Sequence, residues 1–235
     1  MRAKLLFSKN TEPVINNQKF VNSYIHGKCL DGYNYHDNPS NASISRMCGG
    51  LVKGRTIEYP NGGYIIISSL DYLFLERVMD GVRKNPHFGF GMEFMKVEFV
   101  EEKIYDGFNF FLTLETGFML KKKPEDRKNP KDIYYTINDE NINDILKNQT
   151  IRRLKKINPK LNFDGFDIKI VNTNYNTTRN IYIKNVKNVT NFCQVVVNAN
   201  KKVAEHIYHY GLGQSTRSGL GVVFKTENKE KYSFI

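Results

Sequence analysis

The sequence predicts an α+β fold of two tandem ferredoxin-like domains, each with the element order βαββαβ. Three observations support this prediction. Short apolar or alternating segments are interleaved with segments of helical periodicity. The same order occurs twice along the 235 residues, a length sufficient for two small domains. The second repeat begins near Asp106-Gly107, which predicts an N-terminal domain at 1–107 and a C-terminal domain at 108–235.

The first half contains the complete set of strands and helices for one such unit. Its first helix is expected to turn Phe20 and Tyr24 inward, with Val21 and Ile25 as further inward candidates. The predicted strands are 3–7, 43–54, 63–70 and 92–104, and the predicted helices are 16–30 and 71–84.

Two local signals set boundaries within this half. The Pro-Asn-Gly-Gly run at 60–63 predicts a hairpin between the second and third strands. Ser69 or Asp71 is expected to cap the second helix, and Asn85-Pro86 is expected to end it.

The second half repeats the order with weaker signals. A charged, proline-containing loop is expected at 121–131. Tandem ferredoxin-like domains offer sheet faces and a cleft of the kind that RNA-binding proteins use, although a fold does not by itself establish a function. The predicted strands are 110–115, 167–171, 192–199 and 222–224, with 181–186 as a further candidate, and the helices are 141–157 and 201–210.

Charge is divided unequally between the halves. The chain has a formal net charge of +11 and a pI of about 9.4. Residues 1–110 hold 13 Lys and Arg against 12 Asp and Glu, whereas residues 111–235 hold 22 against 12. A basic second half predicts contact with a polyanion. An anionic membrane is disfavoured because no long basic helix has an exposed apolar face.

Cysteine and histidine usage predicts neither a disulfide framework nor a metal site. Cys29, Cys48 and Cys193 form no CxxC motif, so we expect buried thiols in a reducing, cytoplasmic compartment. His206 and His209 lack an HExxH pattern and a third ligand, so RNA contact or a helix surface is expected there. We expect no cofactor. The N-terminus lacks the apolar core of a signal peptide, and no run reaches transmembrane length.

The most informative segment is residues 211–221, here called the glycine loop. Gly211, Gly213, Gly219 and Gly221 bracket a polar, cationic tip at 214–218. Glycine adopts positive φ and allows close backbone approach, so such a loop can present N–H groups, hydroxyls and an arginine to a phosphate backbone.

Other kinds of glycine-rich segment fit this loop less well. A predicted helix precedes it and a predicted strand follows, which is the reverse of a dinucleotide-binding fingerprint. The Gly-Lys-Ser/Thr of a P-loop is absent. A purely structural turn between helix and strand is the plain alternative. Two GxG units around a cationic, hydroxyl-rich tip favour a grip on nucleic acid.

With these residues in place, the chain resembles the CRISPR-associated endoribonucleases that process repeat RNA, the sixth Cas family of the RAMP superfamily. The resemblance spans nearly the whole chain. The glycine loop matches the family's C-terminal signature, and residues 67–86 match its strand, helix and Gly-x-x-x-Asn-Pro ending. Residues 111–122 match the opening of its second domain, and residues 17–27 match its first helix.

The resemblance implies cleavage of CRISPR repeat RNA without a metal. A ribose 2′-hydroxyl attacks the adjacent phosphate, which needs a base, an acid and a cation. Histidine suits the first two roles because its ordinary pKa lies near neutrality. By resemblance, His36 occupies the catalytic histidine position in a polar loop, and His26 occupies a position often held by Tyr. Tyr33 and Tyr35 could assist, although packing or stacking is the usual role of tyrosine.

The chain departs from the family at the third catalytic group. The family commonly has a Lys shortly after the loop histidine, but residues 38–45 contain none. Lys53, Arg46 or Lys28 could supply the cation, and we take Lys53 as the candidate; the two histidines alone could also suffice.

The basic half supplies the candidate RNA contacts, with Arg217 as the first choice because the glycine loop presents it. The candidate RNA-binding residues are Lys121, Arg152, Arg153, Gly211, Gly213, Gln214, Ser215, Arg217, Gly219 and Gly221, and Lys122, Lys123, Lys155 and Lys156 are further cationic candidates.

Two other functions compete with an endoribonuclease. A non-cleaving RNA-binding RAMP subunit of an effector complex would keep the grip without the chemistry, as the missing Lys suggests. A metabolic ferredoxin-like protein with a structural glycine loop is disfavoured by the one-sided charge. The expected partners are CRISPR repeat RNA and its crRNA product, with other Cas effector subunits and a second copy of the chain as further candidates.

Overall fold

The structure is a computed structural model. It describes residues 1–15, 17–30, 41–113, 116–122, 133–174, 176–183, 186–226 and 233–234.

The N-terminal half is built around a five-stranded antiparallel sheet with the order β2-β5-β1-β7-β6. Two helical segments cover one face of this sheet, where Leu5, Ile65 and Val78 are fully buried. Its strands are β1 (Arg2–Phe7), β2 (Ala42–Ile44), β3 (Leu51–Lys53), β4 (Thr56–Glu58), β5 (Gly63–Ser69), β6 (His87–Gly89) and β7 (Met92–Phe99). Its helices are α1 (Asn17–Asn22), which continues as a π-helical segment (Ser23–Cys29), and α2 (Tyr72–Lys84).

The C-terminal half repeats the arrangement with the order β15-β8-β14-β11-β16. Its strands are β8 (Gly107–Leu112), β9 (Leu120–Lys122), β10 (Ile133–Tyr135), β11 (Asp167–Asn172), β12 (Thr177–Ile183), β13 (Val186–Phe192), β14 (Gln194–Ala199), β15 (Phe224–Lys225) and β16 (Ser233–Phe234). Its helices are α3 (Ile142–Ile157), α4 (Lys201–Tyr210) and a single 3₁₀ turn (Thr216–Ser218). Each half therefore has the ferredoxin-like order, and the predicted tandem fold is confirmed.

The local signals for α2 are also confirmed. The carboxylate of Asp71 accepts a hydrogen bond from the N–H of Phe74 at 3.2 Å, which caps the first turn of the helix. The helix ends at Lys84, before Asn85-Pro86, because proline disfavours a helical residue ahead of it.

Three predicted details are wrong. A turn does form at 60–62, but β4 pairs with β3 and β5 pairs with β1 and β2, so the turn joins strands of different sheets. Phe20 is 38% exposed and packs edge-on against Phe90 instead of entering the core. The single candidate strand predicted at 181–186 is wrong, because β12 ends at Ile183 and Val186 begins β13, which pairs with β12 in a two-stranded ribbon.

A buried arginine joins the two halves. Arg2 is 2% exposed, and its guanidinium donates to the carbonyls of Val223 at 2.7 Å and Tyr208 at 2.6 Å. It also lies 3.6 Å from the centre of the Tyr208 ring. Because a buried charge is stable only when its donors are satisfied, this contact fixes the end of α4 against β1.

Candidate nucleic-acid interface

The glycine loop is closed at its base by backbone contacts. The N–H of Leu212 donates to the carbonyl of Gly221 at 2.7 Å, directly after α4 ends. Gly211, Gly213, Gly219 and Gly221 all have φ between +71° and +86°. A Cβ on Gly221 would collide with the Leu212 carbonyl, so the loop can close only with glycine there.

Most of the loop is enclosed between the two halves, in contrast to the exposed loop expected from its composition. The hydroxyl of Thr216 donates to the carbonyl of Ala42 in β2 at 3.2 Å, and Gly219 forms a parallel bridge with Ser45. A Cβ on Gly219 would collide with the buried side chain of Gln18 in α1. The glycines therefore allow close approach to the protein's own backbone, and Ser215 is the exposed residue of the tip.

His26 meets the glycine loop across the seam between the halves. It lies in the π-helical segment after α1, half-buried, and its Nε2 is 2.9 Å from the carbonyl oxygen of Arg217. The two residues are 191 positions apart in the sequence. The fold thus brings a histidine predicted to be catalytic next to a residue predicted to bind RNA.

Arg152 and Arg153, neighbours on α3, have different surroundings. Arg152 is exposed, whereas Arg153 donates from Nη1 to the carbonyl of Gly213 at 3.1 Å and from Nη2 to that of Gly211. Burial lowers the pKa of Arg153 to about 10 because carbonyls replace the lost water only in part. Arg153 thus holds the glycine loop in place through two of its backbone carbonyls, and this contact is here called the brace.

A cationic groove of about 330 Å³ lies between α3 and the loop tip. Arg152 and Lys156 line one side, and Gln214 and Ser215 line the other. Two enclosed atoms at the groove, Nε of Arg153 and Oε1 of Gln149, have no hydrogen-bond partner among the described residues. A groove with two cations and exposed polar groups suits a phosphate backbone.

Lys121 extends from the same region. Its strand, β9, begins next to Met119, whose carbonyl accepts from the N–H of Gln214 at 2.9 Å. The Nζ of Lys121 lies 5.2 Å from the centre of the Tyr134 ring on β10. The short ribbon β9–β10 therefore holds this half-buried cation two residues from the strand position that pairs with the loop tip.

The family model for "CRISPR associated protein Cas6, C-terminal" matches residues 100–224, more than half of the chain. The chain belongs to the Cas6 family. Solved structures agree in fold: a Cas6-related protein from Pyrococcus furiosus has 18% identity and a TM-score of 0.84, and the match covers 97% of this chain and 99% of that chain. "An RAMP protein binding different RNA substrates" has 17% identity and a TM-score of 0.84, covering 97% and 100%.

A structure described as a Cas6 product complex has 9% identity and a TM-score of 0.64, covering 96% of this chain and 99% of that one. At these identities the solved structures establish the fold alone. A search among curated protein sequences found no significant match.

The cation candidates of this Cas6-family chain differ in position. Lys53 lies at the exposed β3–β4 turn, where its Nζ pairs with the Glu58 carboxylate at 2.5 Å. Arg46 is half-buried and directly follows Ser45, which bridges the glycine loop at Gly219. Lys28 is exposed, two residues after His26. His36, Tyr33, Tyr35 and Lys123 lie outside the described residues.

The two histidines of α4 have structural partners. Nδ1 of His206 is 2.7 Å from the carbonyl of Lys202, and its Nε2 is 3.4 Å from the amide nitrogen of Asn158. Nδ1 of His209 is 2.8 Å from the hydroxyl of Ser68 in β5. No group of three or more His, Cys, Asp or Glu placed to hold a metal occurs in the described ranges. Within those ranges, no helix is long and apolar enough to cross a bilayer.

Three contributors were missed in the sequence: Arg2 and Gln18 at the seam, and Gln149 at the groove. Gln149 could have been found, because it lies one turn before Arg152 and Arg153 on the same helix. Arg2 and Gln18 carry no local signal, since their roles depend on contacts with residues about 200 positions away.

Proposed function

We propose that this Cas6-family protein is a metal-independent endoribonuclease that cleaves CRISPR precursor RNA within its repeats. The observation that carries the proposal is the contact between His26 and the glycine loop. It joins an acid–base candidate from residues 1–107 to the basic half at 108–235, so RNA held by one half would lie beside the chemistry of the other. Family membership and a Cas6 product complex with the same fold support an RNA substrate.

The reaction is an internal transfer at phosphorus. The 2′-oxygen of the nucleotide before the cut attacks the phosphate and gives its proton to a base. The bond from phosphorus to the 5′-oxygen breaks, and that oxygen takes a proton from an acid. The products are a 2′,3′-cyclic phosphate and a 5′-hydroxyl, and no water or electrons are consumed. We assign the acid and base roles to His26 and His36, without an order between them.

The third group would neutralise charge that develops on the phosphate oxygens. Lys53 must exchange its contact with Glu58 for the phosphate if it acts, because its ammonium is already held. Arg46 is the alternative, since its neighbour Ser45 touches the loop that contacts His26. Either assignment replaces the family's missing lysine.

Binding is assigned to the groove and the loop tip. Arg152, Lys156 and Ser215, which line the groove, would contact phosphates. The half-buried side chain of Arg217 would add a contact from the loop, and Lys121 would extend the path along β9. The four glycines and Arg153 would act indirectly, because they shape and brace the loop instead of facing outward.

Incubation with repeat RNA in excess EDTA tests the proposal. We expect cleavage to persist and to leave a cyclic phosphate. A 2′-deoxy substitution before the cut should abolish cleavage and leave most of the affinity. Dependence on added Mg²⁺ would contradict the mechanism. Binding without cleavage would favour a non-cleaving RNA-binding subunit, and neither binding nor cleavage would contradict both.

A further inference from the structure

The groove between α3 and the loop tip is lined by two amide side chains as well as by cations. Gln149 lines the wall formed by α3, and Gln214 lines the wall formed by the loop. Arg152 and Lys156 lie on the same wall as Gln149. Within the part of the chain that the structure describes, none of these four side chains makes a hydrogen bond or an ion pair with another residue. Their polar groups can therefore be satisfied by a ligand.

The position of Gln149 follows from the geometry of α3. The groove residues of this helix are spaced i, i+3, i+4 and i+7, so they share one face: Gln149, Arg152, Arg153 and Lys156. Arg153 on that face donates to two carbonyls of the glycine loop, so the face is turned towards the loop. The amide oxygen of Gln149 is enclosed there without a partner, and rotation about the last side-chain bond exchanges it with the amide nitrogen.

The position of Gln214 is fixed through its backbone. Its N–H donates to the carbonyl of Met119 at 2.9 Å, and the carbonyl of Gly213 just before it accepts from Arg153 at 3.1 Å. The side chain of Gln214 therefore lines the groove from a backbone that is held on both sides. A binding group on a rigid support loses less conformational entropy when the ligand binds.

A phosphate alone would satisfy only part of this chemistry. Phosphate oxygens accept hydrogen bonds, so they suit the cations and the amide N–H groups but leave both amide oxygens unpaired. The edge of a nucleobase has a donor beside an acceptor, and a Gln amide pairs with such an edge through two hydrogen bonds. The groove volume of about 330 Å³ lies at the lower end of the range for small-ligand pockets and suits one nucleotide. The two amides therefore favour a base between them, with its phosphates on the cations.

Two amides on facing walls also select among the bases. Adenine has an amino group with two N–H donors and a ring-nitrogen acceptor, N1 or N7, on each side of it. Cytosine has one such edge, and the two mixed edges of uracil share a single N–H. Guanine has two acceptors on its Hoogsteen edge, and its ribose lies beside its second mixed edge.

We propose that the groove binds an unpaired adenine of the RNA, with Gln149 on one edge of the base and Gln214 on the other. The inference rests on the proposed function for RNA as the ligand and does not depend on cleavage. The two glutamines then determine specificity, whereas Arg152 and Lys156 bind the backbone whatever the sequence.

Fluorescence anisotropy with labelled oligouridylates about ten nucleotides long tests the selectivity. The central nucleotide is uridine, adenosine or purine riboside, which lacks the amino group of adenosine. We expect the wild-type protein to bind the adenosine probe about 5- to 150-fold more tightly than the uridine probe, because a second bidentate pair forms. The purine riboside probe should lose this gain. Equal affinities for the three probes would overturn the proposal.

Variants test whether the two amides cause the preference. Gln149→Met and Gln214→Met keep the length of the side chain but remove the amide, so each should bring the adenosine and uridine probes to similar affinities. Asn148→Leu is the matched control, since Asn148 is exposed on α3 outside the groove, and it should keep the preference. Arg152→Ala should weaken binding of all three probes alike.

A preference that survives in both Gln variants would overturn the assignment of the base to these amides. The wild-type series decides the selectivity even for a variant that fails to fold. A wild-type protein that prefers the adenosine probe but does not cleave repeat RNA would keep the adenine site and contradict the proposed endoribonuclease. Cleavage of repeat RNA without the preference would do the reverse, and no binding of any RNA would contradict both.

Discussion

The N-terminal and C-terminal halves share one strand order but differ in charge and in what is added to the sheet. Residues 1–110 are nearly neutral, whereas residues 111–235 carry ten more basic than acidic residues. The second half also adds the two-stranded ribbons β9–β10 and β12–β13 outside its five-stranded sheet. The two halves thus share a scaffold but present different surfaces. The N-terminal half places His26 at the seam, and the C-terminal half has most of the positive charge.

Contacts at the seam connect the two halves, so the halves are not structurally independent. The glycine loop belongs to the basic half by sequence, yet it packs against β2, Gln18 and His26 of the neutral half. Arg2 makes the reciprocal contact, from β1 to the end of α4. We therefore expect that substitutions of individual residues will affect either catalysis or binding, and that neither activity belongs to one domain alone.

The largest expected effect is on the chemical step. His26→Ala and His36→Ala should each lower the single-turnover cleavage rate by about 10²–10⁴-fold, because each removes a positioned acid or base. Repeat affinity should change little. His87→Gln is the matched control, since His87 is exposed and pairs with Glu93 away from the seam. Wild-type rates from both alanine variants would place the active site elsewhere.

The second expected effect is a loss of stability in acid that originates at the seam. Burial, followed by the charges of the N-terminus, Arg2 and His206, lowers the pKa of His209 to about 3. The unfolded chain would protonate this histidine near pH 6.5. Between about pH 6.5 and 3 the unfolded state binds more protons, so stability should fall by up to about 1.4 kcal/mol for each pH unit lost.

Urea unfolding between pH 7 and 4 would measure this dependence. His209→Asn keeps an acceptor for the Ser68 hydroxyl but removes the titrating ring, so its stability should vary less with pH than that of the wild type. His87→Gln should retain the wild-type slope because His87 is exposed. An unchanged slope in His209→Asn would mean that other groups control the acid unfolding.

The third effect concerns the brace behind the loop. Arg153→Met keeps the apolar stem but leaves the carbonyls of Gly211 and Gly213 without their donors, which should lower the free energy of unfolding by about 1–3 kcal/mol. Arg152→Met should change it by less than about 0.5 kcal/mol, because Arg152 is exposed. Equal losses in the two variants would contradict a bracing role that is specific to Arg153.

These adjacent arginines show what the sequence could and could not predict. Helix α3, the cap of α2 and the repeated strand order follow from periodicity and local turn chemistry. Arg153 has a usable signal, since it lies seven positions after the fully buried Leu146 and so shares its face. The enclosure of the glycine loop has no such signal, because composition reports backbone freedom but not which surface covers the loop. The contact to His26 joins residues 191 positions apart and required the tertiary structure.

The smallest expected effect is on the salt dependence of RNA binding, and it tests which cations face the RNA. Each phosphate contact releases counterions, so affinity should fall steeply as salt rises. Arg152→Ala and Lys156→Ala should each reduce the slope of log affinity against log salt by about one, because both cations line the groove. Arg153→Met should leave the slope unchanged in the fraction that remains folded, since its guanidinium is hydrogen-bonded to the carbonyls of Gly211 and Gly213.

The slopes of the three variants would be compared by measuring RNA affinity between low and physiological salt, on variants whose melting curves match that of the wild type. A slope that falls for Arg153→Met but not for Arg152→Ala would indicate that RNA contacts Arg153 and does not bind in the groove.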